Sequence, residues 1–330
     1  MRATDRSTVA PGRSDETDRS GSAGPSRAVG YLAIIAAAVC WAAGASGARY
    51  LTDRGASVLE LTEARAWVSA AGLGLLLAAR RLRSRAPQRT ASQPLESPWL
   101  VLAFGLALAG ANITYYWAIT LLPVAVAIVV QYTAPALVVV WTSLVSRRLP
   151  SRLVLSALVL AVAGVAVLSE LPRLAAGGRT TLSTAGLLLS VGASVSFATY
   201  VVVGERLGRR MGTVDAVFRG FVVASILWIF VQAARGRPET LLDPRFTVGV
   251  VFIAIVGTLV PFLLFVWGLR KVDASRAAIV STLEPVAAAL VAYVWLGEQL
   301  GPAQLLGGSM VLAGVVLVQL ERRAQPQTGP

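Results

Sequence analysis

The sequence predicts an all-α integral membrane protein with ten transmembrane helices arranged as two inverted five-helix repeats. Three observations carry that prediction. The composition is 55% hydrophobic and only 14% charged, with a mean hydropathy of +0.68. Its apolar residues fall into ten runs of about twenty, the length at which a helix crosses a hydrocarbon core of about 30 Å. The second half of the chain also repeats the first.

In chain order, residues 1–27 are rich in Arg, Ser, Thr, Gly and Asp and hold too little apolar surface to fold, so a disordered tail is expected. The first run, 28–49, contains "VGYLAIIAAAVCWAAGASGA", with basic residues before it and small residues at its end. A cleaved signal peptide has the same outline, but this run has a partner in the second half, which favours a span. Runs at 57–79, 98–119, 123–146 and 152–170 complete a first repeat over 28–170. Runs at 184–205, 212–233, 246–268, 273–296 and 302–320 make up a second over 184–320, and 321–330 is a short tail.

Thirty basic residues against seventeen acidic ones would suit nucleic acid in a soluble chain. Here they sit mainly in short connections between apolar runs. The N-terminal tail, the loops near 80–89, 147–152, 206–210 and 270–271, and the C-terminal tail carry 20 of them, and the opposite loops carry 7. That bias places both termini in the cytoplasm of a multi-pass cell-membrane protein and gives no reason to expect a nucleic-acid partner.

The repeat is legible at a constant spacing of 150: Trp117 matches Trp267, Ala127 matches Ala277, Pro135 matches Pro285 and Gly164 matches Gly314. Earlier matches are looser, with Trp41 and Leu51 against Phe197 and Leu207 at 156, and Arg65 against Arg219 at 154. Five is odd, so two copies joined head to tail cross the bilayer in opposite senses, the plan of many secondary transporters.

Among candidate site residues, Glu284 stands first. It lies about eleven residues into its span, roughly 16 Å deep at 1.5 Å per residue, too deep to snorkel. A charge there costs about 2.5–3.5 kcal/mol on insertion scales, so Glu284 should face a cavity or a partner and serve as a substrate or proton site. Pro285 removes a helix hydrogen bond and frees a carbonyl, and Pro135 and Pro261 are expected to kink their helices likewise. A neutral, hydrogen-bonded acid beside a packing kink is the structural alternative. The first half offers Gln131, Tyr132 and Thr133, with Ala134 at the position matching Glu284. Trp41, Asn112, Tyr116 and Tyr200 are further cavity candidates, whereas Trp117, Trp267, Tyr293 and Trp295 read as interfacial anchors. Arg65 and Arg219, about seven residues into their spans, read as structural charges, with substrate-anion binding the alternative, and Asp215 stands one turn before Arg219 and is able to pair with it. Gly164, Gly307, Gly308 and Gly314 read as close-packing positions.

From about residue 28 to 320 the chain resembles the EamA-type transporters of the drug/metabolite transporter superfamily. The resemblance rests on "EARAWVSAAGLGLLL" and "VFRGFVVASILW" in the second span of each half, and on "STLEPVAAALVAYVWLGEQL" with Glu284-Pro285 and the closing Gly297-Glu298. In the first half Arg147-Arg148 stand where Gly-Glu would. The resemblance implies a central cavity lined chiefly by spans 1, 3, 4, 6, 8 and 9, and export or uptake of amino acids and other small metabolites.

The expected function is therefore a secondary transporter, an exporter of amino acids or similar metabolites by alternating access, with protons as a possible coupling ion. A facilitative channel-like permease and an integral membrane lipid-modifying enzyme are the alternatives. The absence of histidine and the single Cys40 argue against imidazole or thiolate catalysis and metal binding, so no enzyme activity and no cofactor are expected.

Overall fold

Helices account for nearly all of the computed structural model, which describes residues 23–83, 98–171, 183–236, 238–297 and 299–324. The first half comprises α1 (Ala23–Thr52), α2 (Val58–Arg83), α3 (Pro98–Leu121), α4 (Val124–Gln131), α5 (Ala134–Ser146) and α6 (Arg152–Leu168). The second comprises α7 (Thr184–Met211), α8 (Thr213–Arg235), a single turn α9 (Glu239–Leu242), α10 (Pro244–Ala254), α11 (Val260–Leu269), α12 (Ala274–Ser281), α13 (Leu283–Val291) and α14 (Pro302–Ala324). Two π-helical turns, Ile255–Leu259 and Ala292–Leu296, join α10 to α11 and extend α13. Among the described residues there is no strand. Residues 1–22 and 325–330 of the predicted tails and residues 84–97 lie outside them, as does Glu298, whereas 23–27, expected in the disordered tail, extend α1, and 321–324 extend α14.

Each of the ten predicted runs coincides with one helix or one interrupted helix. Eight are long and apolar enough to cross a membrane. The other two fall short for different reasons. α2 carries Glu60, Glu63 and Arg65 in its first turns, and α6 is apolar but 17 residues long. The chain is a membrane protein on this evidence.

Local chemistry sets the ends. Ser151 and Ser183 accept the Val154 and Gly186 amides at 3.2 and 3.3 Å, and the Asp243 carboxylate accepts the Arg245 amide at 2.9 Å, satisfying donors the first helical turn leaves free. α5 ends on Arg147 in the left-handed region, φ 53°, and the helix run through Leu296 ends on Gly297 at φ 70°. The two caps are 150 residues apart, so the first half keeps the backbone of the second while placing a β-carbon where glycine is easier.

Packing follows the same exchange. α1 packs on α11 as α7 packs on α3; α1 packs on α13 as α7 packs on α4 and α5; α2 packs on α10 as α8 packs on α3. α2 meets its own counterpart α8, and α6 meets its counterpart α14. At the last seam the correspondence holds residue by residue. A β-carbon on Gly164 would come within 2.7 Å of the Gly307 carbonyl and 2.8 Å of the Val311 nitrogen. One on Gly314 would come within 2.7 Å of the Ala157 carbonyl and 3.2 Å of the Ala161 nitrogen, the positions 150 residues earlier. Gly308 has only ordinary contacts, with Val286 and Leu168. Close backbone approach of this kind is how helices associate where lipid offers no hydrophobic driving force.

Candidate functional site

Two helix interruptions build the centre. α4 stops at Tyr132–Thr133, before Pro135, and Thr133 Oγ1 bonds the Val130 carbonyl at 2.6 Å and Ser194 Oγ on α7 at 3.0 Å. α12 stops at Thr282, before Glu284-Pro285, and Thr282 Oγ1 donates to the Ile279 carbonyl at 2.6 Å. At each break the threonine thus bonds the carbonyl three residues back with both its backbone N–H and its hydroxyl, which tightens the last turn before the proline. Pro261 sits at the start of α11, directly after a π turn.

The breaks bring the halves together at Glu284. Tyr132, Tyr115 of α3 and Arg65 of α2 all lie within electrostatic reach of the Glu284 carboxyl. Tyr116 packs against Tyr115 with ring centroids 5.7 Å apart. Gln131, half-buried at the last turn of α4, hydrogen-bonds no other described residue. Tyr132 had carried no expected role of its own, and it comes to stand near the acid. No composition signal distinguishes it, because that nearness exists only once α4 and α13 pack.

Arg65, expected as a structural charge with anion binding as the alternative, sits where α2 meets the π turn. It lines a small cavity with Thr62, Asn112, Thr258, Trp228 and Phe262 among others. Its Nε donates to Thr258 Oγ1 at 2.5 Å and its Nη2 to the Gly257 carbonyl at 3.2 Å, both within the π turn. Asn112, a sequence candidate, lines the same cavity and donates its amide to the Leu108 carbonyl at 2.9 Å.

Trp41 and Tyr200 are brought together in a packed aromatic cluster rather than on that cavity's wall. Phe262 is the link. It lines the cavity and stands 5.3 Å, centroid to centroid, from each of Trp41, Tyr200 and Phe221. The Tyr200 hydroxyl is buried without a partner among the described residues. Asp215 and Arg219 do not form the expected ion pair. Asp215 occupies the first turn of α8, where the helix dipole already favours an anion, and the pair gains little by closing.

Glu63 went unnoticed in the sequence. It is fully buried in α2 and neither carboxyl oxygen has a partner among the described residues, while Glu60, one turn earlier, accepts the Thr240 amide at 2.7 Å. The available signal was the pair of acids three apart at the head of an apolar helix. An unpaired buried carboxyl costs stability, about 1–3 kcal/mol or more, so Glu63→Met is expected to hold or raise the melting temperature in detergent. A drop of several degrees would mean that Glu63 has a stabilising partner.

The sequence profile of the EamA-like transporter family matches residues 28–170 and again 184–320. Similar proteins include the threonine/homoserine exporter RhtA of Salmonella typhimurium, 26% identical over 69% of this chain and 73% of the relative. An uncharacterized transporter of Archaeoglobus fulgidus is 29% identical over 63% of this chain and 72% of its own. A crystal structure sharing 19% identity superposes with a TM-score of 0.70 over 91% of this chain and 99% of that one, a likeness of fold. With both halves matched and the helical frame shared, the chain belongs to the EamA-like transporter family.

Proposed function

We propose that this protein is a secondary transporter that exports amino acids or similar small metabolites across the cell membrane by alternating access, with two inverted five-helix repeats, 28–170 and 184–320, moving about a midplane site. The observation that carries the proposal is Glu284: an acid placed beside a helix break in the membrane interior and approached there by Tyr132 from the matching break of the other half. A carboxyl so placed suits a cation, a proton or a substrate ammonium, and one group serving both links their movements. The half-exchanging pattern of helix contacts supports the inverted repeat. Relatives that are threonine/homoserine exporters support amino acids as cargo.

The test is efflux from proteoliposomes loaded with labelled L-threonine or L-homoserine, with and without a pH gradient. Protein-dependent efflux that saturates and responds to the gradient is expected. Efflux no faster than in protein-free vesicles, for these and a wider amino-acid panel, would remove the reading.

Orientation follows from the basic bias, with both termini and the loop after Arg83 cytoplasmic and the 121–122 and 297–301 connections outside. With Cys40 replaced, a cysteine introduced at Arg83 is expected to react with membrane-impermeant thiol reagents only after the membrane is opened. Labelling in intact cells would reverse the topology.

A further inference from the structure

The turn between α5 and α6 carries three arginines within six residues, Arg147, Arg148 and Arg152, and all three are exposed. The sequence holds no Asp or Glu between Glu96 and Glu170, and none of the three forms an ion pair among the described residues. Two of them stand where the local backbone argues against them. Arg147 occupies the left-handed region at φ 53°, which glycine adopts more readily, and Arg152 opens α6, at the end of the helix dipole that repels a cation. The positive-inside bias asks only for basic residues somewhere in this connection, not at these two positions. At the positions 150 residues on, the sequence has Gly297, Glu298 and Pro302, so the matching turn is made without any of the three charges.

Trp141, Leu144 and Val145 are exposed on the last turns of α5, and Leu149, among the arginines, is 94% exposed. α5 closes a segment long and apolar enough to cross a membrane, Val124–Ser146, so these apolar side chains meet acyl chains and the arginines meet the headgroup layer beside them. That arrangement fixes the class of ligand. Guanidinium forks pair with phosphate oxygens, and three cations with no acid among them favour a headgroup of net negative charge over a zwitterionic one, whose own cation they repel. Only a lipid fills both the charged and the apolar part, which sets free phosphate aside. We infer that the α5–α6 turn binds an anionic phospholipid, with its phosphate held by Arg147, Arg148 and Arg152 and an acyl chain lying along Trp141, Leu144 and Val145.

The experiment places the full chain in phosphatidylcholine nanodiscs with a minor fraction of brominated phosphatidylglycerol or, separately, of brominated phosphatidylcholine. Bromine quenches a tryptophan it touches, and the signal lost on Trp141→Phe is that of Trp141. Quenching there is expected to show phosphatidylglycerol enriched roughly fivefold or more over its bulk fraction, and phosphatidylcholine not enriched. Replacing Arg147, Arg148 and Arg152 together by Gln should abolish the enrichment. Arg206→Gln with Arg209→Gln should preserve it, since that basic connection already has Glu205 facing Arg209 at 3.0 Å. Excess glycerol phosphate should not displace the lipid. Equal quenching by the two lipids in wild-type protein would overturn the inference, as would enrichment that survives loss of the three arginines. Enrichment lost equally in the Arg206/Arg209 control would mean attraction by net charge alone, and displacement by glycerol phosphate would mean an anion site without the lipid; either outcome overturns it too. Where the triple variant fails to insert, Arg147→Gly keeps the test, because it removes one charge while relieving the left-handed backbone. It is expected to hold the melting temperature and lower the enrichment, and undiminished enrichment would count against the site.

Discussion

Glu284→Gln is expected to reach the membrane in wild-type amounts and to lose transport by roughly 10- to 100-fold, or to transport with a flat pH profile. The amide keeps the shape and a hydrogen-bonding group but removes the ionisable form. A hydrogen bond to a charged group is worth about 1.5–3 kcal/mol, and each 1.4 kcal/mol is about a factor of ten. Asp243→Asn is the matched control. It removes an acid from an exposed pair with Arg245, outside the core, where ion pairs contribute little. Both measurements belong in one assay, initial efflux rates across a pH series. Wild-type rates and pH dependence in a properly inserted Glu284→Gln protein would leave the Glu284-Pro285 step as a structural kink.

The second large effect is expected at the crossing of α1 with the π turn Ile255–Leu259. A β-carbon on Gly257 would come within 2.6 Å of the Gly44 Cα, and one on Gly44 would collide with the Gly257 backbone in turn. The obstacle is main chain on both sides, so no rotamer change relieves it. Gly257→Ala or Gly44→Val must push the helices apart, at a cost of about 1–3 kcal/mol or more, and must also move the Gly257 carbonyl and Thr258 hydroxyl that hold Arg65. Lower yield, a reduced melting temperature and little transport are expected together. Gly72→Ala, whose added carbon meets only a Leu259 methyl at 3.5 Å, should leave all three unchanged. A Gly257→Ala protein of wild-type stability would mean that the crossing is looser than the structure has it.

The helical frame was legible because each run of about twenty apolar residues has little choice in a bilayer but to form a helix. Breaks ahead of Pro135 and Pro285 were legible for the same local reason: proline removes a donor whatever surrounds it. What depended on packing was not. Nothing in "IVGTL" distinguishes a π turn from an α turn, since the difference is one residue of hydrogen-bond register. Arg65 read as a structural charge, and its place on a cavity emerges only when α2, α3, α8 and the π turn converge. Glu63, buried without a partner, and Tyr132, near Glu284, are likewise products of which faces meet.

The π turn between α10 and α11 has a consequence for angular phase. Val260 donates its amide to the Ile255 carbonyl, five residues back, so the helix carries one residue more than an α-helical turn would hold. Each α-helical residue turns the chain by about 100°, a full circle divided by 3.6. Removing one residue from Ile255–Leu259 would let the wide turn close to a regular α-helical turn while the segment after it keeps its phase, so Phe262 and Phe265 would stay among Trp41 and Tyr200. A one-residue deletion within the regular turns of α11 has no spare residue to give up and would instead swing everything after it by about that angle.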